Sequence, residues 1–270
     1  MLNKLAGIAT LIALAGCTAT QEPHTLSTVE EIRPGLLKGY LPMNELPDSG
    51  ALLPAPPAPG STLQAVDEEA NLAYRPLRGT ARWELAARDA DLRFPAAASI
   101  FSCALDLPIS EQQTPFLYRV LHRSLADAGL STYTAKNKYQ RPRPFMANGL
   151  GSCTPGEEEM LSKDGSYPSG HTALGWAWAL LLAELAPERK DTIFLRGWAF
   201  GESREICNVH WNSDTDMGRM VGATAVAALH SNADFQADFV EAAREVSALR
   251  KSGATSPLDC EAERQALNGK

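Results

Sequence analysis

Three short stretches of this chain carry side chains able to bind a phosphate-like anion and act on it. The first is Lys136-Asn137-Lys138-Tyr139-Gln140-Arg141-Pro142-Arg143-Pro144. Each proline disfavours helix in the residue before it, so Arg143 should project from a stiff, extended segment with Lys136 on the helical turn ahead. The second is Ser166-Tyr167-Pro168-Ser169-Gly170-His171-Thr172. Ser169 suits the cap of the helix that follows, and Gly170 lets an anion approach free amides backed by the helix dipole. His171 falls in the first turn, close to anything bound there. The third runs from Ser203-Arg204 through Cys207-Asn208 to His210-Trp211-Asn212-Ser213-Asp214. Residues 204 and 210 are six apart and would face different ways on one straight helix, so a shared ligand requires a bend near Cys207-Asn208. His210 and Asp214 are four apart. On a helical turn that spacing brings a carboxylate to the ring, where it fixes the tautomer and stabilises the imidazolium.

Taken singly, each stretch has a plainer reading. The first could be a solvated basic patch, the second a capped helix with an incidental His, and the third an exposed ion pair. Together they supply cations, amides, two histidines and a carboxylate.

The elements that must position them read as helical. Candidate helices cover roughly 63–74, 80–91, 94–104, 110–128, 131–138, 170–186, 188–206, 214–230 and 233–251, and runs with strict strand alternation are nearly absent. Ser110 with Gln113 three residues on reads as a helix start. Residues 170–183 are apolar nearly all round, yet shorter than the roughly 20 residues a bilayer span needs, so a central buried helix is expected. The expected fold class is therefore all-α, a single-domain helical bundle. Residues 18–60 are rich in Pro, peaking at Pro54 to Pro59, which favours extended backbone; Leu36, Leu37, Leu41, Leu52 and Leu53 suggest that part of it packs.

The N-terminus reads as a processing signal: Lys4, then an apolar run from Leu5 to Ala15, ending in Leu14-Ala15-Gly16-Cys17, which looks like a bacterial lipobox. Lipidation of Cys17 would give an extracytoplasmic protein, periplasmic or on the cell surface, held to the membrane through that anchor. A net charge of −7 argues against a nucleic-acid partner, while leaving room for a local cationic cleft and small phosphorylated substrates. Cys103, Cys153, Cys207 and Cys260 fit two disulfides in an oxidising compartment, with three connectivities open. They lack the paired spacing of a zinc site. The oligomeric state is not legible, and a homo-oligomer is compatible with the sequence.

Lys136 with six residues before Arg143-Pro144, then Pro168-Ser169-Gly170-His171, then Ser203-Arg204 with five residues before His210 and three more before Asp214, resembles the full signature of the phosphatidic acid phosphatase type 2 superfamily. The flanks, Asp164-Gly165-Ser166-Tyr167 and His210-Trp211-Asn212-Ser213-Asp214, are most similar to bacterial class A non-specific acid phosphatases. The resemblance spans roughly residues 60–250. It implies a broad acid phosphatase acting on phosphate monoesters: His210 forms a phosphohistidine, Asp214 orients it, and His171 protonates the leaving group. It also implies that Lys136, Arg143, Ser169, Gly170 and Arg204 hold the phosphoryl oxygens, with no metal and no cofactor. The organisation then expected is a lipoprotein signal peptide at 1–16, a Pro-rich tether or extended arm at 17–60, the catalytic domain at 61–252 and a C-terminal tail at 253–270. Within the same superfamily, a phosphatase of lipid or lipid-linked phosphates and a vanadium-dependent haloperoxidase are the nearest rivals. A non-catalytic phosphate binder is the rival of another class, and it would not need the His210–Asp214 pair with His171 opposite.

Overall fold

A nearly all-apolar helix must be surrounded, and the chain builds its layers around one. The computed structural model describes residues 24–269. Cys17 and the signal segment lie outside them. A small antiparallel ladder of β1 (Glu31–Arg33) and β2 (Leu36–Leu37) comes first. Next are α1 (Ser49–Leu52), α2 (Thr62–Tyr74), α3 (Ala81–Arg88) and α4 (Ser102–Leu105). The middle of the chain holds α5 (Pro115–Leu130), α6 (Tyr133–Tyr139), α7 (Pro144–Asn148) and α8 (Glu158–Leu161). The last third is α9 (Gly170–Leu185), α10 (Lys190–Ile206), α11 (Asn212–Leu229), α12 (Ala233–Ser252) and α13 (Cys260–Asn268). The expected all-α class is the observed one.

Helix α9 is the hub, with α5, α10 and α11 packed around it. Leu181, Leu182, Ala177 and Trp178 are fully buried there. Each such Leu contributes about 1.5–3 kcal/mol of burial. The Trp178 indole donates to the carbonyl of Leu121 on α5, 3.0 Å away, which satisfies its one polar atom. Opposite, α11 comes close enough that its glycines matter. A Cβ on Gly218 would stand 2.6 Å from the carbonyl oxygen of Ser169, and one on Gly222 would collide with that of Ala173. This tight seam sets the start of α9 against the start of α11. Among the described residues, no helix is long and apolar enough to cross a membrane.

One helix boundary is corrected. Residues 110–114 form a separate turn, with Ser110 Oγ accepting from the Gln113 amide, and α5 begins at Pro115. A helix begun near Ser110 would carry Pro115 in its second turn, where the ring clashes with the preceding carbonyls, whereas Pro suits a first position. Leu52 is 52% exposed, while Leu36, Leu41 and Leu53 are buried.

Residues 24–60 lie along the bundle. The amides of Tyr40 and Leu41 donate to the buried Asp127 carboxylate of α5 at 3.0 and 2.9 Å. The Tyr40 hydroxyl donates to Asp238 of α12 at 2.8 Å. At the other end, Cys103 pairs with Cys260, which ties α4 to α13, and Cys153 pairs with Cys207. Residues 253–269, expected as a tail, thus include a covalently anchored helix.

Candidate active site

All eight site residues expected from the sequence come from segments that meet at the N-terminal ends of α9 and α11. Lys136 sits on α6 and Arg143 is the residue preceding α7. Ser169 caps α9, its hydroxyl accepting from the Thr172 amide at 3.3 Å. Its own amide donates to the Asp214 carbonyl at 2.9 Å, which joins the two helix starts. A Cβ on Gly170 would lie 4.0 Å from Cε of Lys136, so the lysine chain runs alongside the amides that open α9.

The bend expected near Cys207-Asn208 is present. Helix α10 ends at Ile206, and Asn208 adopts a left-handed φ of 64°. The amides of Val209 and His210 then turn back onto the Arg204 carbonyl at 3.1 and 3.2 Å. The Arg204 backbone therefore anchors the loop that carries His210. Asn208 tolerates this conformation because its side chain is held by Asn148 and by the Gly151 carbonyl. The Cys153–Cys207 bridge pins the same corner. Asp214 lies in the first turn of α11, and one of its oxygens accepts the Trp211 amide at 2.8 Å. His210 precedes that helix. Its Nδ1 is 3.5 Å from Asp214 Oδ2, a charge contact longer than a good hydrogen bond.

The arginines have different surroundings. Arg143 is nearly fully buried and its guanidinium is well occupied. Nε donates to the Leu161 carbonyl at 2.8 Å, Nη1 to the Val209 carbonyl at 3.0 Å, and Nη2 to Asp164 at 3.1 Å. Nη1 also stands 3.1 Å from His210 Nε2. Arg204 is as deeply buried, yet its Nε and Nη1 have no hydrogen-bond partner. Leaving a buried charged donor unsatisfied costs about 1–3 kcal/mol or more. Two such atoms on one guanidinium mark a place where an anion belongs.

Burial and mutual repulsion shape the titrations. Burial, then the neighbouring Arg143, pushes Lys136 down to about 8, and burial pushes Arg204 down to about 10. Burial, reinforced by the Arg143, Lys136 and Arg204 charges, holds His210 well below an ordinary imidazole, so its ring is neutral in the free protein. His171 is pushed the same way by burial and by Arg204. Its Nε2 faces the Ala90 carbonyl at 3.0 Å. A carbonyl only accepts, so that nitrogen carries the proton and Nδ1 is the ring position left for other work.

Sequence reasoning gave no role to Arg141, Asp67 or Asp164. Arg141 joins Asp214 Oδ1 at 2.6 Å to Asp67 of α2 at 2.7 Å, in a buried cluster with Ser213. The doubled Arg-Pro at 141–144 was the one available signal for it. Asp164 stands in the flank that resembles the class A acid phosphatases, which gives it a place but no role, and Asp67 carries no signal that a single sequence displays. Among the described residues, no group of three His, Cys, Asp or Glu side chains is placed to hold a metal ion. A cavity of about 500 Å³ between α10 and α13 reaches none of the eight residues.

Residues 118–236, which include all eight, match the family model described as the PAP2 superfamily. A non-specific acid phosphatase of Providencia stuartii is 47% identical over 213 residues, covering 78% of this chain and 86% of the relative. An acid phosphatase of Zymomonas mobilis is 40% identical over 79% of this chain and 81% of its own length. A non-specific acid phosphatase of Salmonella typhimurium is 40% identical over 72% and 78%.

Proposed function

Because this chain belongs to the PAP2 superfamily, within the bacterial class A non-specific acid phosphatases, we propose that it hydrolyses phosphate monoesters through a phosphohistidine formed on His210. The observation that carries this reading for these residues is the pair of unbonded, buried nitrogens on Arg204, whose charge helps keep the buried His210 neutral.

In the first step the Nε2 lone pair attacks phosphorus in line while the bond from phosphorus to the ester oxygen breaks. Arg143, donating to Nε2 in the free enzyme, turns its N–H to a phosphoryl oxygen. The Nδ1 proton faces Asp214, which stabilises the ring as it gains positive charge. His171, protonated at Nδ1, gives that proton to the departing alkoxide. In the free enzyme burial, and then the Arg204 charge, disfavours this protonation, and a bound phosphoryl dianion beside the ring favours it. Water, giving a proton to the now neutral Nδ1 of His171, then attacks the phosphohistidine, breaks the phosphorus–nitrogen bond and releases inorganic phosphate. Lys136, Arg143 and Arg204, with the Ser169 hydroxyl and the Gly170 amide, stabilise the equatorial charge that dominates phosphoryl transfer. Three cations supply what metal ions supply elsewhere.

p-Nitrophenyl phosphate hydrolysis by the purified chain in EDTA, wild type against His210→Ala, tests this. Activity in EDTA that the substitution abolishes is expected; a fully active His210→Ala chain sinks the mechanism. Activity lost in EDTA alone sinks only metal independence.

The two disulfides fit an oxidising compartment, and the lipobox supports a lipid anchor on Cys17 of an extracytoplasmic enzyme. Mass spectrometry of the membrane fraction should find an acylated Cys17 at the mature N-terminus, and an unacylated one refutes the anchor.

A further inference from the structure

Two buried cations cannot stand side by side without an anion, and in the free protein one carboxylate serves both. Oδ2 of Asp164 lies 3.1 Å from Lys136 Nζ and 3.1 Å from Arg143 Nη2. The two cationic side chains are 4% and 2% exposed, whereas that of Asp164 is 31% exposed and stands on the solvent side. A single oxygen bridging an ammonium and a guanidinium is the contact a phosphoryl oxygen would make with the same pair.

The segment around Asp164 suits exchange. It follows the end of α8, and its main chain is tethered separately: the Asp164 amide donates to Leu161 and its carbonyl accepts from Arg143 Nε at 3.2 Å. The Gly165 carbonyl accepts from Lys136 Nζ. The carboxylate can therefore rotate outward while the backbone keeps hold of both cations. Arg204, deeper in, has no such partner on its Nε and Nη1. The three cations thus divide into one open donor and two that are provisionally filled.

We propose that Asp164 is a resident counter-anion, occupying the Lys136–Arg143 half of the phosphate site in the free enzyme and displaced by the phosphoryl group of the substrate. This rests on the phosphate site described above. It makes Asp164 a determinant of affinity: every phosphate that binds must first displace a carboxylate, so substrate and product phosphate are both held more weakly than the three cations alone would hold them. The competing role is a fixed spacer that aims Lys136 and Arg143 at the phosphate. The two roles predict opposite signs.

Binding of inorganic phosphate to the full chain is measured by calorimetry for wild type, Asp164→Asn, Asp164→Ala and Arg204→Ala, with thermal unfolding as the folding check. Asp164→Asn keeps the shape if the shorter side chain fails to fold. With a resident counter-anion, loss of the charge tightens phosphate about five- to tenfold, the scale of one partly screened charge-assisted pair. KM for p-nitrophenyl phosphate should fall in parallel. Phosphate affinity unchanged or weaker in the folded Asp164 variants overturns the proposal and leaves the spacer role. An Arg204→Ala chain that binds phosphate as tightly as wild type overturns the site itself, and this inference with it.

Discussion

Nη1 of Arg143 stands 3.1 Å from Nε2 of His210, and because a guanidinium can only donate, that nitrogen must hold a lone pair. The proton of the neutral ring is then on Nδ1, on the side of Asp214. One contact thus selects the tautomer that leaves the Nε2 lone pair free for the proposed attack on phosphorus, before any substrate arrives. Asp214 can act on the ring only through the other nitrogen.

Replacing Arg143 with Lys keeps the charge and loses the fork. An ammonium cannot reach the Leu161 and Val209 carbonyls, Asp164 and His210 together. Loss of such an oriented donor costs on the order of 10²–10³ in turnover. Steady-state hydrolysis of p-nitrophenyl phosphate should show that fall in kcat, and a loss under threefold counts against the tautomer argument.

Lys136 should give phosphate binding an alkaline limit. Its value is lowered to about 8, so its charge is present below that pH and lost above it. Inhibition by inorganic phosphate should weaken as pH rises through about 8. Lys136→Arg keeps its charge across this range and should flatten the limb. A wild-type inhibition constant constant from pH 7 to 10 would remove Lys136 from the cradle.

Asp67 should matter to turnover although it is not among the phosphate-holding residues. It shares Arg141 with Asp214 and also holds Ser213, the residue before it. Asp67→Asn removes one charge from a buried cluster in which Arg141 keeps Asp214, a loss of about 1.5–3 kcal/mol in stability by denaturant unfolding. Because Asp214 then shifts against His210, kcat should fall while KM changes little. Equal effects on both would make Asp67 a purely structural residue.

The α9–α11 seam can be tested with one methyl group. Gly218→Ala sets a Cβ 2.6 Å from the Ser169 carbonyl, which forces α11 off the start of α9 at about 1–3 kcal/mol. It should lower activity as well, since Ser169 caps the anion-facing end of α9. Gly129→Ala on α5 has open space around it and should stabilise by about 0.4–1 kcal/mol. Thermal unfolding of the two variants checks both signs.

The layout of the candidate site is legible because its residues are locally spaced. The bend at Asn208 followed from Arg204 and His210 being six apart, which no straight helix reconciles, and the α9 cap followed from Ser169 standing before an apolar run. Arg141 was visible but had no job, because its job depends on Asp67, 74 residues away. Asp164 stands in a flank that carries the family resemblance but likewise had no job, since its meaning lies in two cations brought to it by α6 and the segment before α7. Disulfide pairing is likewise a matter of tertiary distance. The start of α5 follows from the sequence once Pro115 is weighed against Ser110, because a ring clash costs more than a cap contributes.

The hydrogen bond from Tyr40 to Asp238 spans 198 residues, and the Cys103–Cys260 bridge spans 157. A chain made from its N-terminus has Tyr40 in hand long before α12 exists. Until then Asp127 can be answered by the arm, but Tyr40 has no Asp238 to meet and Cys103 has no mate. The last steps of maturation must therefore wait for nearly the whole polypeptide to be delivered. For that interval the half-made bundle carries an unmatched thiol and an open flank, and these are what a folding helper or a thiol oxidase would meet.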